Sequence, residues 1–255
     1  MHTITPTFDP VQEARRIVDA ATARGITLRI LGAVAFRIHC TTSVGMHAST
    51  GREISDIDLV GCKKQGTEIC KLMSELGYLL DKTMLIHEGR YFFTDTQRKL
   101  KADVFLDRLE MCHTIDFSGR LDHDYPTIPL DELLLEKLQI VNIEQKDVID
   151  VAMLLSDHDV GSSQKETIDK DYISKLLGED WGFYYTVTTN LSKISEAIRT
   201  MSAIEPSGKD RILGNIKLIQ EEIEAAPKSL AWKLRARVGP KTKWYRDVSN
   251  PRGAY

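Results

Sequence analysis

The feature that most constrains this chain is a change of hydrophobic period at about Pro129. Before it, short runs alternate or are rich in β-branched and aromatic residues, as in "ITLRIL" (Ile26 to Leu31), "RYFFTD" (Arg90 to Asp95) and "KLKADVFLD". After it, "LDELLLEKLQIV", "KDVIDVAMLLSDH", "DKDYISKLLG", "WGFYYTVTTNLSKISEAI" and "KDRILGNIKLIQEEIEAA" repeat apolar residues at three and four spacing. A period of two lines one face of a strand, and a period of 3.6 lines one stripe of a helix. An α+β chain is therefore expected: a mixed strand-and-helix half, then a helical half. The boundary falls between Leu121 and Pro129, which divides the chain into residues 1–125 and 126–255.

Within the first half, Pro10 to Arg24 has helical spacing and stops at Gly25. The strand "ITLRIL" runs directly into "GAVAFRIH", which reads as a helix, so Gly32 marks a strand-to-helix turn. Thr41 to Gly51 is small, polar and loop-like, "DIDLVG" is a short strand, and Thr67 to Leu76 is a helix closed by Gly77. Extended segments are expected over Leu79 to Ile86, Arg90 to Asp95 and Leu100 to Asp107. A polar loop near Gly161 to Glu166 interrupts the helical half.

With 255 residues, 42% of them hydrophobic, the chain has enough apolar material for a sizeable core. A net charge of −3 implies no global pull toward nucleic acid or membrane. The charge is uneven, however: from Lys228 onward there are eight Lys and Arg against one Asp. The four cysteines, Cys40, Cys62, Cys70 and Cys112, form no CxxC pair and suit a reducing compartment. The first residues lack the basic and apolar regions of a signal peptide, and no apolar run approaches a membrane span. A cytoplasmic protein without a membrane partner is expected.

Chemistry concentrates in "EISDIDLVG". On a strand, Asp56 and Asp58 point to one face while Ile57 and Leu59 point to the other. Two carboxylates about 7 Å apart along a strand repel, and a hard cation between them turns that repulsion into binding. The same pattern also occurs as an ordinary polar strand entry. Asp103, in the middle of a β-favouring run, is costly there unless paired or metal-bound. It is either a third carboxylate beside the first two or the partner of Lys101 or Arg37. Asp107 lies on the same face but at the strand end, where Asp forms turns. Gly32 and Ala33 lie where small residues let backbone N–H groups approach an anion, or simply allow tight packing.

Taken together, "LRILGAVAFRIH", "SDIDLVG", "KADVFLD", "PLDELLLEKLQIV" and "KDVIDVAMLL" resemble, in this order, the nucleotidyltransferase superfamily related to DNA polymerase beta. The resemblance is greatest to its AbiEii-like branch of minimal and toxin-type members, and it covers roughly Ile26 to Leu155. It implies a mixed sheet flanked by helices and followed by a helical region. It assigns Asp56, Asp58 and Asp103 to two divalent ions, Mg2+ or Mn2+, with Asp103 next to the attacking hydroxyl. Gly32 and Ala33 would meet the triphosphate of an NTP, and Lys137 would contact it from the following helix. Asp147 matches a further acidic position of the branch, or serves as a helix N-terminal charge; Lys137 is otherwise a solvated helix-face residue. The chain departs from the family in reading Gly-Ala at the turn and in the inserted "TTSVGMHASTGREIS".

The implied reaction moves an NMP from an NTP to an acceptor hydroxyl on tRNA or other RNA, on a protein, or on a small aminoglycoside-like molecule. The tail "WKLRARVGPKTKWYRD" either grips an RNA backbone and stacks bases or packs on the acidic domain. Toxin-type membership would bring a cognate antitoxin as partner. The competing readings are a catalytically silent binding module acting through a protein partner, and a metal-dependent phosphodiesterase. The seven dispersed His show no metal-ligand spacing, and Trp181, Phe183, Tyr184 and Tyr185 read as core.

Overall fold

A computed structural model describes residues 9–43, 45–46, 54–82, 89–95, 97–162 and 166–248. The chain divides into two compact units. The first takes in Met1–Ile38, Glu53–Leu109 and Asp116–Ile128; the second takes in His39–Arg52, Glu110–Ile115 and Pro129–Tyr255. The fold is α+β, with a mixed sheet in one unit and a helical C-terminal region in the other.

In the first unit, helix α1 (Pro10–Thr22) begins where Asp9 accepts from the Val11 and Gln12 amides, with Pro10 needing no donor partner. It buries Ala14, Ile17, Val18 and Ala21. Gly25, at φ +69°, turns the chain into β1 (Leu28–Leu31), which passes into α2 (Gly32–His39). Strand β2 (Asp56–Gly61) follows, then α3 (Gly66–Glu75), β3 (Tyr78–Leu80), β4 (Arg90–Asp95) and β5 (Leu100–Leu106).

The sheet order is β1-β2-β5-β4-β3, and only β2 and β5 run parallel. Ile57, Leu59, Ala102, Val104, Leu28 and Ile30 line one face and are fully buried. The free edge of β1 is tacked down by residues 126–128: Ile30 donates to the Pro126 carbonyl and accepts from the Ile128 amide. That pairing uses up groups an edge strand would otherwise present. A short hairpin, β6 (Arg108–Glu110) and β7 (Thr114–Asp116), was not read in the sequence. Most of the Thr41 to Gly51 loop, and residues 83–86 of the expected third strand, lie outside the described residues.

In the second unit, α4 (Leu130–Leu138) is buried on every side. Its five leucines, at positions 130, 133, 134, 135 and 138, are buried, and so are its four charged residues, Asp131, Glu132, Glu136 and Lys137. Around it lie α5 (Gln145–Asp157), α6 (Lys170–Glu179), α7 (Trp181–Thr200) and α8 (Pro206–Ala225). Asp169 caps α6 and Asp180 caps α7, each accepting from first-turn amides. The segment read as a polar loop is flanked by two short parallel strands, β8 (Asp159–Gly161) and β9 (Thr167–Asp169); residues 163–165 lie outside the described residues.

The basic tail forms a further helix, α9 (Leu230–Val238), and then runs across α7 of its own unit. Trp244 donates to Thr186 Oγ1 at 3.0 Å and meets the Tyr185 ring edge-on at 4.9 Å. Arg246 donates to the Met111 carbonyl at 3.0 Å and to Thr114 at 2.8 Å. Of the four aromatics expected in the core, Trp181 and Phe183 are buried; Tyr184 and Tyr185 are half-buried and seat the tail. Ring contacts and the hydrogen bonds of Arg246 together hold this tail.

Candidate active site

Register places the acidic residues. On the parallel pair β2 and β5, Asp58 is directly opposite Asp103, and Asp56 is opposite Lys101. Because opposed residues share a face, the two central aspartates project from the same side of the sheet. On β4, Phe92 is the neighbour of Asp103, and on β1, Leu31 is the neighbour of Asp58. Asp58 and Asp103 thus sit at the two middle strands, flanked by buried apolar residues. Like charges held opposite one another cost free energy. The fold accepts that cost at this one register position.

Gly32 closes the site from one side. Its φ of +69° is a conformation L side chains rarely adopt, and a Cβ added there would lie 2.5 Å from Asp58 Oδ2. The first turn of α2 therefore begins directly against the Asp58 carboxylate. Neither alanine nor serine fits without moving one or the other. Ala33 follows, half-buried, as the second residue of the helix. A helix N-terminus carries partial positive charge and amides not used within the helix, so this end suits anions.

A residue not singled out in the sequence completes the arrangement. Arg90 Nη1 is 3.8 Å from Asp103 Oδ2, and its guanidinium lies over the rings of Phe92 at 4.5 Å and Phe105 at 5.2 Å. The pair is only partly exposed, with side-chain exposures of 13% and 14%. Arg90 is thus an ion-pair partner of Asp103 in addition to the Lys101 and Arg37 considered from the sequence. Its position at the start of "RYFFTD" became meaningful only when β4 paired with β5. Asp107 is a turn former: at φ +62° it accepts from the Lys63 amide at 2.9 Å.

Asp56 is exposed and lies 3.4 Å from the Ser55 hydroxyl. Among the described residues, no group of three or more His, Cys, Asp or Glu is gathered so that it could hold a metal ion. The donor set around Asp58 is nevertheless of the right kind for a hard cation. Magnesium prefers oxygen and commonly uses one or two carboxylates, completing its shell with water and substrate phosphates. Asp58 and Asp103 supply two carboxylates, and Gly32 leaves room beside them that a side chain would fill.

Lys137 lies in the second unit and is buried rather than solvated. Its ammonium is 3.4 Å from Glu136, 3.4 Å from Asp150 and 3.9 Å from Asp147. Asp147 serves as a helix N-terminal charge: it accepts from the Glu144 amide at 3.1 Å in a reciprocal capping box. All four cysteines are free thiols. No helix among the described residues is long and apolar enough to cross a membrane.

No family model matches the sequence, and no curated protein matches it closely. Solved structures with similar folds include ANT(2")-Ia in complex with adenylyl-2"-tobramycin, at 14% identity over 57% of this chain and 87% of that one, with a TM-score of 0.39. An antigenic nucleotidyltransferase-like protein from Paracoccidioides brasiliensis is similar at 10% identity over 87% of this chain and 95% of that one, with a TM-score of 0.43. A tRNA nucleotidyltransferase complexed with a primer tRNA and an incoming ATP analog gives 14% identity, coverages of 88% and 91%, and a TM-score of 0.26. The last two of these are described as nucleotidyltransferase-like and as a nucleotidyltransferase.

Proposed function

We propose that the protein is a metal-dependent nucleotidyltransferase that moves an NMP from an NTP to an acceptor hydroxyl. The observation that carries this reading is the direct opposition of Asp58 and Asp103 beneath the turn at Gly32. Two carboxylates facing each other are unfavourable for folding and useful for holding hard cations, here Mg2+ or Mn2+. When bound, such ions polarise phosphoryl oxygens and lower the pKa of a bound hydroxyl.

The residues of the chain supply the rest. Gly32 and Ala33 offer the positive end of α2 to the triphosphate, which a side chain at position 32 would exclude. Asp58 and Asp103 would hold such ions, with Asp56, at the exposed end of β2, as the third carboxylate. An Asp103 carboxylate oxygen accepts the proton of the acceptor hydroxyl. The acceptor oxygen bonds to the α-phosphorus, the bond to the bridging oxygen breaks, and pyrophosphate leaves. Every residue in this reading lies within residues 1–125.

For the acceptor, we favour a tRNA or another RNA over a protein or an aminoglycoside-like molecule. The support is the exposed cations Lys241 and Lys243 of the tail. A toxin-type role in the cytoplasm, with a cognate antitoxin, would follow from that acceptor. The test is incubation with each α-labelled NTP, magnesium and total RNA. Labelled RNA supports the reading; shortened RNA would show a nuclease instead. Label on neither RNA, protein nor small acceptors, with magnesium or manganese, would refute it in favour of a silent binding module.

A further inference from the structure

Helix α9 is amphipathic, yet it is mounted with its apolar side outward. Leu230, Leu234 and Val238, spaced four apart, are 74%, 52% and 45% exposed. On an α-helix they form one stripe about 12 Å long. Lys233 and Arg237, both exposed, border it along one flank. The inward side carries Arg235 and Trp232. The Arg235 guanidinium lies 4.5 Å from the Trp181 ring centre and donates to the Gly239 and Thr242 carbonyls, both at 2.7 Å. Trp232 meets Tyr184 edge-on at 5.0 Å.

This orientation is fixed rather than incidental. Ser229 caps the helix by accepting from the Trp232 amide, and its own amide donates to the Gly178 carbonyl at 3.0 Å. A Cβ on Gly178 would lie 2.6 Å from the Pro227 carbonyl, so the approach of the connection to α6 depends on that glycine. Rotating α9 to bury its leucines would break all of these contacts. Isolated exposed leucines need no explanation, but an aligned stripe on an anchored helix does.

We propose that the stripe is a docking seam for a helix of a partner protein whose own apolar seam is bordered by carboxylates. Charge decides among the occupants. A second copy packed antiparallel would bring Lys233 and Arg237 against their own equivalents, a like-charge contact. A bilayer surface favours helices with an aromatic residue on the apolar side, and the tryptophan of α9 faces inward. RNA rewards cations and stacking rings, and gains nothing from covering three aliphatic side chains. An acidic amphipathic helix satisfies both the stripe and its basic border. This seam does not depend on the proposed reaction.

The test uses two fluorescein-labelled synthetic helical peptides, identical in their leucine seam but flanked by glutamate in one and lysine in the other. Each is titrated with the full chain at physiological ionic strength and followed by anisotropy. The glutamate peptide should bind at least roughly tenfold more tightly than the lysine peptide. Leu234→Asp should weaken it by roughly tenfold or more, the scale of one buried leucine. Lys233→Glu with Arg237→Glu should reverse the preference. These positions are exposed, so thermal melts should match the parent chain. Three results would overturn the proposal: no binding or equal binding of the two peptides; tighter binding to phosphatidylserine vesicles or an RNA oligonucleotide that Leu234→Asp abolishes; or a dimer in sedimentation that Leu234→Asp dissociates.

Discussion

Two carboxylate assemblies in the first unit make opposite use of burial. Glu13 on α1 is only 6% exposed, and it is surrounded by donors. Arg16 donates to it through two nitrogens at 2.8 and 2.6 Å, Tyr78 donates at 2.9 Å, and Arg98 stands at 3.0 Å while also holding Asp95. Burial alone would raise its pKa, but bonds from Arg16, Arg98 and Tyr78 outweigh this and bring it down to about 2. Asp58 instead faces Asp103 across adjacent strands, with the Arg90 guanidinium 3.8 Å from Asp103. A carboxylate ringed by donors ties elements together. Two carboxylates set against each other repel, and a cation between them would relieve that repulsion.

The comparison breaks most directly at Asp58. Asp58→Asn should lower NMP transfer by at least about 10² to 10³, the scale for removing one group that stabilises transition-state charge. Because it relieves a like-charge contact, the melting temperature should stay the same or rise. Calorimetry paired with the labelled-NTP assay checks both halves. A variant that loses stability along with activity would show that Asp58 is structural, as Glu13 is.

Gly32→Ala tests the same site from the backbone. The substitution sets a Cβ at positive φ and within 2.5 Å of Asp58 Oδ2. Strain of this kind costs about 1–3 kcal/mol, and displacement of a reacting group by about 1 Å costs on the order of 10² in rate. Urea denaturation should show the first effect and single-turnover transfer the second. Unchanged transfer would mean that the Asp58 carboxylate need not sit where α2 begins.

Glu13→Gln should do the reverse, destabilising the chain by about 2–3 kcal/mol while leaving transfer per folded molecule unchanged. The magnitude is set toward the low end for a buried pair because Arg16 and Arg98 are 43% and 37% exposed. The folded pKa is depressed, so the contribution is fully present above the unfolded value near 4.5 and is lost as pH falls toward about 2. Urea melts of parent and variant should therefore converge between pH 5 and pH 2, numbers that follow from the linkage of roughly one proton. A gap that stayed constant with pH would remove the ionised Glu13 from the account.

These two assemblies were not equally legible in the sequence. "SDIDLV" and "KADVFL" alternate cleanly, so period two put Asp56, Asp58 and Asp103 on the correct faces of strands that form at Asp56–Gly61 and Leu100–Leu106. The turn at Gly32 was visible too, because a glycine between a β-branched run and a helical pattern marks a backbone reversal. Arg90 was not visible: its meaning depends on β4 pairing antiparallel with β5, and pairing order is not written in either strand alone. Glu13 was missed for a similar reason. On α1 it reads as a first-turn acid suited to the helix dipole, while its partners Tyr78 and Arg98 come from segments far along the chain. The tail's contacts were not legible either: Trp232, Trp244, Arg235 and Arg246 meet partners from segments far along the chain. Local periodicity shows which face a residue takes; only the sheet order shows which residue it meets.

The smallest effect separates the members of the Glu13 cluster. Tyr78 is 1% exposed, and burial, followed by the Glu13 charge, pushes its phenol pKa well above the usual range. It is therefore always the donor to Glu13. Tyr78→Phe keeps the ring and removes one of several donors, so the carboxylate stays ionised on its two arginines. The expected cost is about 1 kcal/mol, that of one net hydrogen bond, well below the cost of Glu13→Gln. A double-mutant cycle between the two positions should give a coupling of about the same size. Near-zero coupling would mean that the arginines alone hold Glu13 and that the β3 contact is only packing. A coupling as large as the whole Glu13→Gln effect would make the phenol, rather than the arginines, the group that keeps this carboxylate within the fold.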